Sequence, residues 1–140
     1  GGLYWPDEPG LAGHSDGDVA THAIIDALLG AAALGDIGMR FPADDPTVPE
    51  GVSSLVLLTR TVGLLAGAGW QVTNVDATIC AQLPRLTEHI TAMRGAIAQA
   101  IGTAVENVSV KATTEDGMGY TGTGQGISAM AGASITEHTA

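Results

Sequence analysis

The segment Gly13-His14-Ser15-Asp16-Gly17-Asp18-Val19-Ala20-Thr21-His22-Ala23-Ile24-Ile25-Asp26 carries two histidines and three carboxylates in fourteen residues. The rest of the chain is poor in charge: only 14% of all residues are Asp, Glu, Lys or Arg. Asp18, His22 and Asp26 are spaced four apart, about one helical turn, so a helix would align them on one face. Val19, Ala23, Ile24, Ala27 and Leu28 set an apolar stripe beside them. A carboxylate, an imidazole and a second carboxylate in that line suit metal binding, or a carboxylate orienting a ligating histidine. The same spacing also describes an ordinary solvated helix face with weak ion pairs.

Three further segments have side chains suited to ligand chemistry. His14-Ser15 stands in a glycine-bounded stretch before a helix start, where the pair can meet phosphate oxygens; Ser15 can equally be a simple cap. Gly35-Asp36-Ile37-Gly38, followed by Asp44-Asp45, can accept from sugar or polyol hydroxyls, although turns use the same residues. Lys111-Ala112-Thr113-Thr114-Glu115-Asp116 places hydroxyls and then acids at a strand end, a pattern able to meet a diphosphate and hold Mg²⁺ on it. Threonine is also simply favoured in strands. Gly117, Gly119, Gly122, Gly124 and Gly126 follow without a Walker lysine, so a phosphate-cradling loop is only weakly signalled.

These groups need a scaffold, and 140 residues suit one domain with a real core. Aromatic residues are 4%, so Ala, Val, Ile and Leu must fill it. Hydrophobic periodicity predicts helices from near Asp16, as cap, to Leu34, and over 53–68 and 87–101. Strands are expected over 74–81, 108–113 and 126–135, with a short strand or turn in 1–9. Gly35 and Gly38 are expected to end the first helix. The order predicts a two-layer α+β domain, with helices on one mixed sheet.

A net charge of −10, with Arg40, Arg60, Arg85, Arg94 and Lys111 as the only cations besides histidine, argues against nucleic-acid binding. A phosphate-bearing ligand would need divalent metal as a source of positive charge. No apolar run is long enough for a transmembrane helix, and no signal peptide is visible. The single cysteine, Cys80, lies in an apolar run and reads as a small core residue of a cytoplasmic protein.

Together these segments resemble the 2-C-methyl-D-erythritol 2,4-cyclodiphosphate synthase family of the non-mevalonate isoprenoid pathway. The resemblance rests on Gly13 through Ala20 with His22, and on Asp26-Ala27-Leu28-Leu29-Gly30 through Gly35-Asp36-Ile37-Gly38. It continues through Phe41-Pro42, Asp45-Pro46, Asn74-Val75-Asp76 and Ala81-Gln82-Leu83-Pro84-Arg85, and ends with Val110-Lys111-Ala112-Thr113-Thr114 and Gly119-Tyr120-Thr121-Gly122. It implies a homotrimer, with sheets facing the three-fold axis and active sites between subunits. The implied reaction is a cyclisation in which the substrate's own phosphate attacks a β-phosphorus and CMP leaves.

The resemblance assigns His22 as a zinc ligand, with Asp26 behind it fixing the metal site. It gives His14 and Thr114 the transition state, and Ser15 the substrate's phosphate. Asp36, Ile37, Gly38, Phe41, Pro42, Asp44 and Asp45 would form the methylerythritol pocket. Ala81, Gln82, Leu83, Pro84, Arg85 and Leu86 would form the cytidine pocket, donated by a neighbouring subunit. Thr113 would contact the diphosphate and Tyr120 the substrate. Asp116 would hold Mg²⁺ or Mn²⁺, with Glu115 as the adjacent contender.

Some positions depart from the family pattern. Its other zinc ligands form an Asp-x-His near the N-terminus, and Asp7-Glu8-Pro9 lacks the histidine. The expectation is one synthase domain over 1–140 that lacks the family's first strand. Its alternative is an inactive trimeric fragment that binds cytidine nucleotides. A metal-dependent phosphohydrolase, giving an open product, is a further reading. Thr123 and Gln125 replace a common Arg and Glu, which predicts weak or no anion binding along the trimer axis. Arg85 stands where Lys is frequent, keeping the charge and changing its geometry.

Overall fold

The computed structural model describes residues 1–7, 10 and 17–138. Helix α1, Val19–Ala31, opens on Asp18, whose carboxylate accepts from the Thr21 amide. The expected start near Asp16 is therefore corrected for the cap, and Asp16 itself lies outside the described residues. The helix stops at Ala31, short of Leu34. Ala33 adopts φ +56°, and bonds from Leu34 N to Leu29 O and from Ala33 N to Gly30 O close a Schellman turn. An alanine, not Gly35, takes the left-handed position, which is why glycine placement misjudged the end.

A single turn, α2 (Ile37–Arg40), follows and was not predicted. Helix α3 spans Ser54–Gly67, close to the expected 53–68. It buries Leu57, Leu58, Thr61 and Leu65 most deeply, while Leu55 and Val62 pack at the margin. Thr61 satisfies its buried hydroxyl on Leu57 O at 2.8 Å. A 3₁₀ turn at Thr87–His89 leads into helix α4, Ile90–Ile101. Another short helix, α5 (Gly119–Gly122), stands in the glycine-rich segment.

Strands β1 (Trp70–Cys80), β2 (Val108–Thr113) and β3 (Ser128–Glu137) form one sheet in the order β2-β1-β3. β1 runs parallel to β2, with Val75 opposite Val108 and Cys80 opposite Thr113. It runs antiparallel to β3, with Cys80 opposite Ser128 and an irregularity between Val72 and Asn74. The sheet is thus mixed, as expected. β1 begins earlier and β3 ends later than predicted, and the described residues 1–7 form a turn without a strand.

One sheet face packs on the helices through Val75, Ala77, Ile79, Val108 and Val110, against Ile24, Ile25, Leu28, Leu29, Leu57, Leu58, Met93 and Ile97. β3 offers Ala129, Ala131, Ala133 and Ile135 to that core. Its three alanines leave room for α1 to lie close on the strand. Among the described residues the other face is bare of helices, and Met130 there is 79% exposed. No helix among the described residues is long and apolar enough to cross a membrane.

Candidate functional site

The predicted site residues fall on two parts of the fold. The first is the junction of α1, α2 and the loop that follows. His22, half-buried on α1, places Nε2 2.8 Å from the Ser54 hydroxyl at the start of α3. One turn later the Asp26 carboxylate accepts from the Ile37 amide at 2.8 Å, which ties α2 to α1. Asp36 caps α2 by accepting from the Met39 amide at 2.8 Å. The free amides at the start of so short a helix are thereby partly used.

Asp18 stands apart from the expected metal-binding line because it is the cap, outside the helix. Its carboxylate accepts from Gly1 N, the Gly2 amide, and the Thr21 amide and hydroxyl. Burial works to raise its pKa; the hydrogen bonds from the Gly2 and Thr21 amides work the other way, and the carboxyl is held below its ordinary value.

Gly38, within α2, is exposed; beyond α2, Phe41 is buried and Pro42 half-buried, while Ala43 and Asp44 are exposed. Asp45 accepts at 2.8 Å from both the amide and the hydroxyl of Thr47. The Thr47 amide first, then its hydroxyl, hold the Asp45 carboxyl below its ordinary pKa, with a smaller contribution from Arg60.

The second part lies at the carboxyl ends of the parallel strands β1 and β2. Parallel strands end on the same side of a sheet, which is where α/β folds open crevices for ligands. Ala81 N donates to Thr113 O at 3.1 Å, so the segment of Ala81, Gln82, Leu83, Pro84, Arg85 and Leu86 leaves the sheet beside Thr113 and Thr114. The Gln82 side-chain oxygen accepts from Gly117 N at 3.3 Å. Thr114 Oγ1 accepts from Asp116 N and donates to Asp116 Oδ1, both at 3.2 Å.

Glu115 and Asp116 take different directions. Glu115 Oε1 accepts from the Cys80 thiol at 3.5 Å, which turns that carboxylate back onto the end of β1. Cys80 Sγ also lies 3.5 Å from the buried Thr121 hydroxyl of α5. Asp116 is exposed beside the two threonines. Tyr120 on α5 is 57% exposed, and its ring packs on Gly126. Leu83 and Met118 are exposed at the same end.

Among the described residues, no three His, Cys, Asp or Glu side chains gather into a metal donor set. The described residues alone thus do not make a zinc site, and His22 Nε2 is engaged with the Ser54 hydroxyl. Asp116, exposed at the threonine-lined strand ends, suits a cation carried on a diphosphate. His14 and Ser15 lie outside the described residues.

The YgbB family pattern matches residues 1–136. The chain belongs to the YgbB family. Among its relatives is the 2-C-methyl-D-erythritol 2,4-cyclodiphosphate synthase of Trichlorobacter lovleyi. It is 56% identical over 131 residues, 94% of this chain and 83% of the relative. The resemblance read from the sequence is thereby borne out. Among solved structures, the YgbB chain superposes on the bifunctional IspDF from Campylobacter jejuni with a TM-score of 0.86 at 34% identity. That match covers 91% of this chain and 34% of the IspDF chain. It also superposes on the Plasmodium falciparum IspF CDP complex with a TM-score of 0.79 at 26% identity, covering 91% and 76% of the two chains.

Reasoning from the sequence missed Ser54 as the partner of His22, and Cys80 as the anchor of Glu115. Both partners are far away in sequence, at separations of 32 and 35 residues. The apolar surroundings of Cys80 gave a signal for burial but none for its partners.

Proposed function

We propose that this YgbB-family chain is a 2-C-methyl-D-erythritol 2,4-cyclodiphosphate synthase. It converts 4-diphosphocytidyl-2-C-methyl-D-erythritol 2-phosphate to the 2,4-cyclodiphosphate and CMP. The observation that carries the reading is the convergence of the Ala81–Leu86 segment with Thr113, Thr114 and Asp116 at the ends of β1 and β2. A nucleotide bound by the first segment would place its diphosphate at the second. The relatives' names and the CDP in a superposable structure support the same ligand class. They also favour the synthase over the non-catalytic binding reading.

In this reading the substrate supplies its own nucleophile. A 2-phosphate oxygen forms a bond to the β-phosphorus, and the bond from that phosphorus to the oxygen bridging to the α-phosphorus breaks, releasing CMP. The chain's task is alignment of attacker and target, which can account for a large part of such a barrier. Asp36, Ile37, Gly38, Phe41, Pro42, Asp44 and Asp45 hold the methylerythritol, with carboxylates accepting from its hydroxyls. Ser15 and Thr113 hold phosphate oxygens. His14 and Thr114 donate to the charge that builds on the β-phosphate. Tyr120 contacts the substrate.

Asp116 would hold Mg²⁺ or Mn²⁺, which neutralises the crowded phosphate oxygens when bound. His22 would provide one zinc ligand and Asp26 would fix the α1–α2 junction behind it. The two groups of residues lie on different elements. We therefore infer a homotrimer in which the cytidine segment of one subunit completes the methylerythritol site of its neighbour. The bare sheet face would be turned to the three-fold axis. A single domain over 1–140, working in the cytoplasm, completes the reading.

The test is incubation of the purified chain with the substrate and Mg²⁺, followed by phosphorus NMR. Two coupled resonances of a cyclic diphosphate, with one CMP released per cyclisation, are expected. An open-chain product would instead indicate hydrolysis, and nucleotide binding without product would indicate a binding module.

A further inference from the structure

Arg60 lies in the middle of α3 and has no part in the reaction as described. Its guanidinium carbon sits 4.9 Å from the centroid of the Phe41 ring, which is itself buried. One terminal nitrogen, Nη1, donates to Thr47 O at 3.0 Å, and the other, Nη2, donates to Thr47 Oγ1 at 3.2 Å. Thr47 in turn donates its amide and hydroxyl to Asp45. The loop's backbone adds short-range bonds of its own, among them Asp45 N to Pro42 O at 3.0 Å and Val48 N to Asp45 O at 2.9 Å.

We propose that Arg60 is a positioning residue for the polyol-binding loop, clamping its two ends, Phe41 and Thr47, onto α3 so that Asp44 and Asp45 are set for substrate hydroxyls. The inference rests on the proposed function, which assigns this loop to the methylerythritol. A planar guanidinium can stack on a ring and donate two separated hydrogen bonds at once. An ammonium at the same place keeps the charge and cannot do both. The loop has three prolines nearby, Pro42, Pro46 and Pro49, which limit its backbone donors. Side-chain bonds from outside the loop therefore carry more of the ordering.

The experiment compares Arg60→Ala and Arg60→Lys with the parent chain in three measurements. Steady-state kinetics should show KM for the full substrate rising about tenfold in Arg60→Ala and about threefold in Arg60→Lys, with kcat within about twofold. CDP affinity, measured by calorimetry, should not change, because the cytidine segment is on other elements. Amide hydrogen exchange should accelerate at Asp45 and Val48 in Arg60→Ala, and less in Arg60→Lys.

A KM that stays at the parent value overturns the proposal. So does a loss of CDP affinity parallel to the rise in KM, which would mark a general structural role. Should the parent chain release no CMP, the proposed function fails separately. Exchange then decides the clamp alone, and unchanged protection at Asp45 and Val48 refutes it.

Discussion

Gly122 allows a sharp test of how closely the glycine-rich segment is packed. A Cβ built there would lie 2.6 Å from the carbonyl carbon of Gly117 and 3.0 Å from its Cα. Those neighbours are backbone atoms and cannot rotate away. The loop carrying Glu115, Asp116 and Gly117 would have to retreat by about 1 Å to reach ordinary carbon–carbon contact near 3.5 Å. Overpacking of that kind costs about 1–3 kcal/mol. At roughly 3 °C per kcal/mol for a domain of this size, Gly122→Ala should lower Tm by about 3–9 °C. Because Asp116 moves with the loop and Thr114 is hydrogen-bonded to it, kcat should fall about 10- to 100-fold.

Gly63→Ala is the matched control. Gly63 is exposed within α3 and a Cβ there meets nothing within 4 Å. Replacing it should raise stability by about 0.5–1 kcal/mol, the ordinary helix-propensity gain. Differential scanning fluorimetry reads both variants. Shifts of the same sign, or Gly122→Ala melting with the parent, would refute the packing argument.

Further outcomes follow from the site. Asp18 titrates below its ordinary value when folded, so its stabilisation is complete above about pH 4 and is lost as pH falls through the lowered pKa. Asp18→Asn should therefore flatten the acid limb of Tm against pH, and an unchanged limb contradicts the cap assignment. Asp116→Asn should reduce kcat/KM about 100-fold and raise the Mg²⁺ concentration needed for half-maximal rate, whereas Glu115→Gln should leave that requirement alone. The reverse pattern would make Glu115 the metal ligand. In a longer form that carries the family's Asp-x-His, His22→Ala should lose zinc, measured by elemental analysis of the purified protein, together with turnover. Retained zinc and activity would dismiss His22 as a ligand.

Much of the framework was legible from pattern alone. Alternation and β-branching located β2 at its observed bounds, and the three- and four-residue spacing of leucines located α3 within one residue at each end. The family motifs also picked out Asp26, Asp36 and Asp45, each of which fixes local backbone at the α1–α2 side. Local rules were weaker where an unusual residue took a special role. Ala33 adopts a left-handed conformation that the rules reserve for glycine, so α1 ended three residues early. The turns α2 and α5 are too short to leave a periodic signature.

Sequence alone determined which residue types were available, their spacing along each element, and the family to which those motifs point. These are properties of neighbours in the chain, where propensity and periodicity act. Tertiary structure alone decided that Glu115 turns back onto Cys80 while Asp116 stays exposed, that His22 meets Ser54, and that Arg60 reaches both Phe41 and Thr47. Each of those contacts joins residues from different elements. They form only when the core brings the helices and strand ends together, and no local preference of the chain encodes such a meeting.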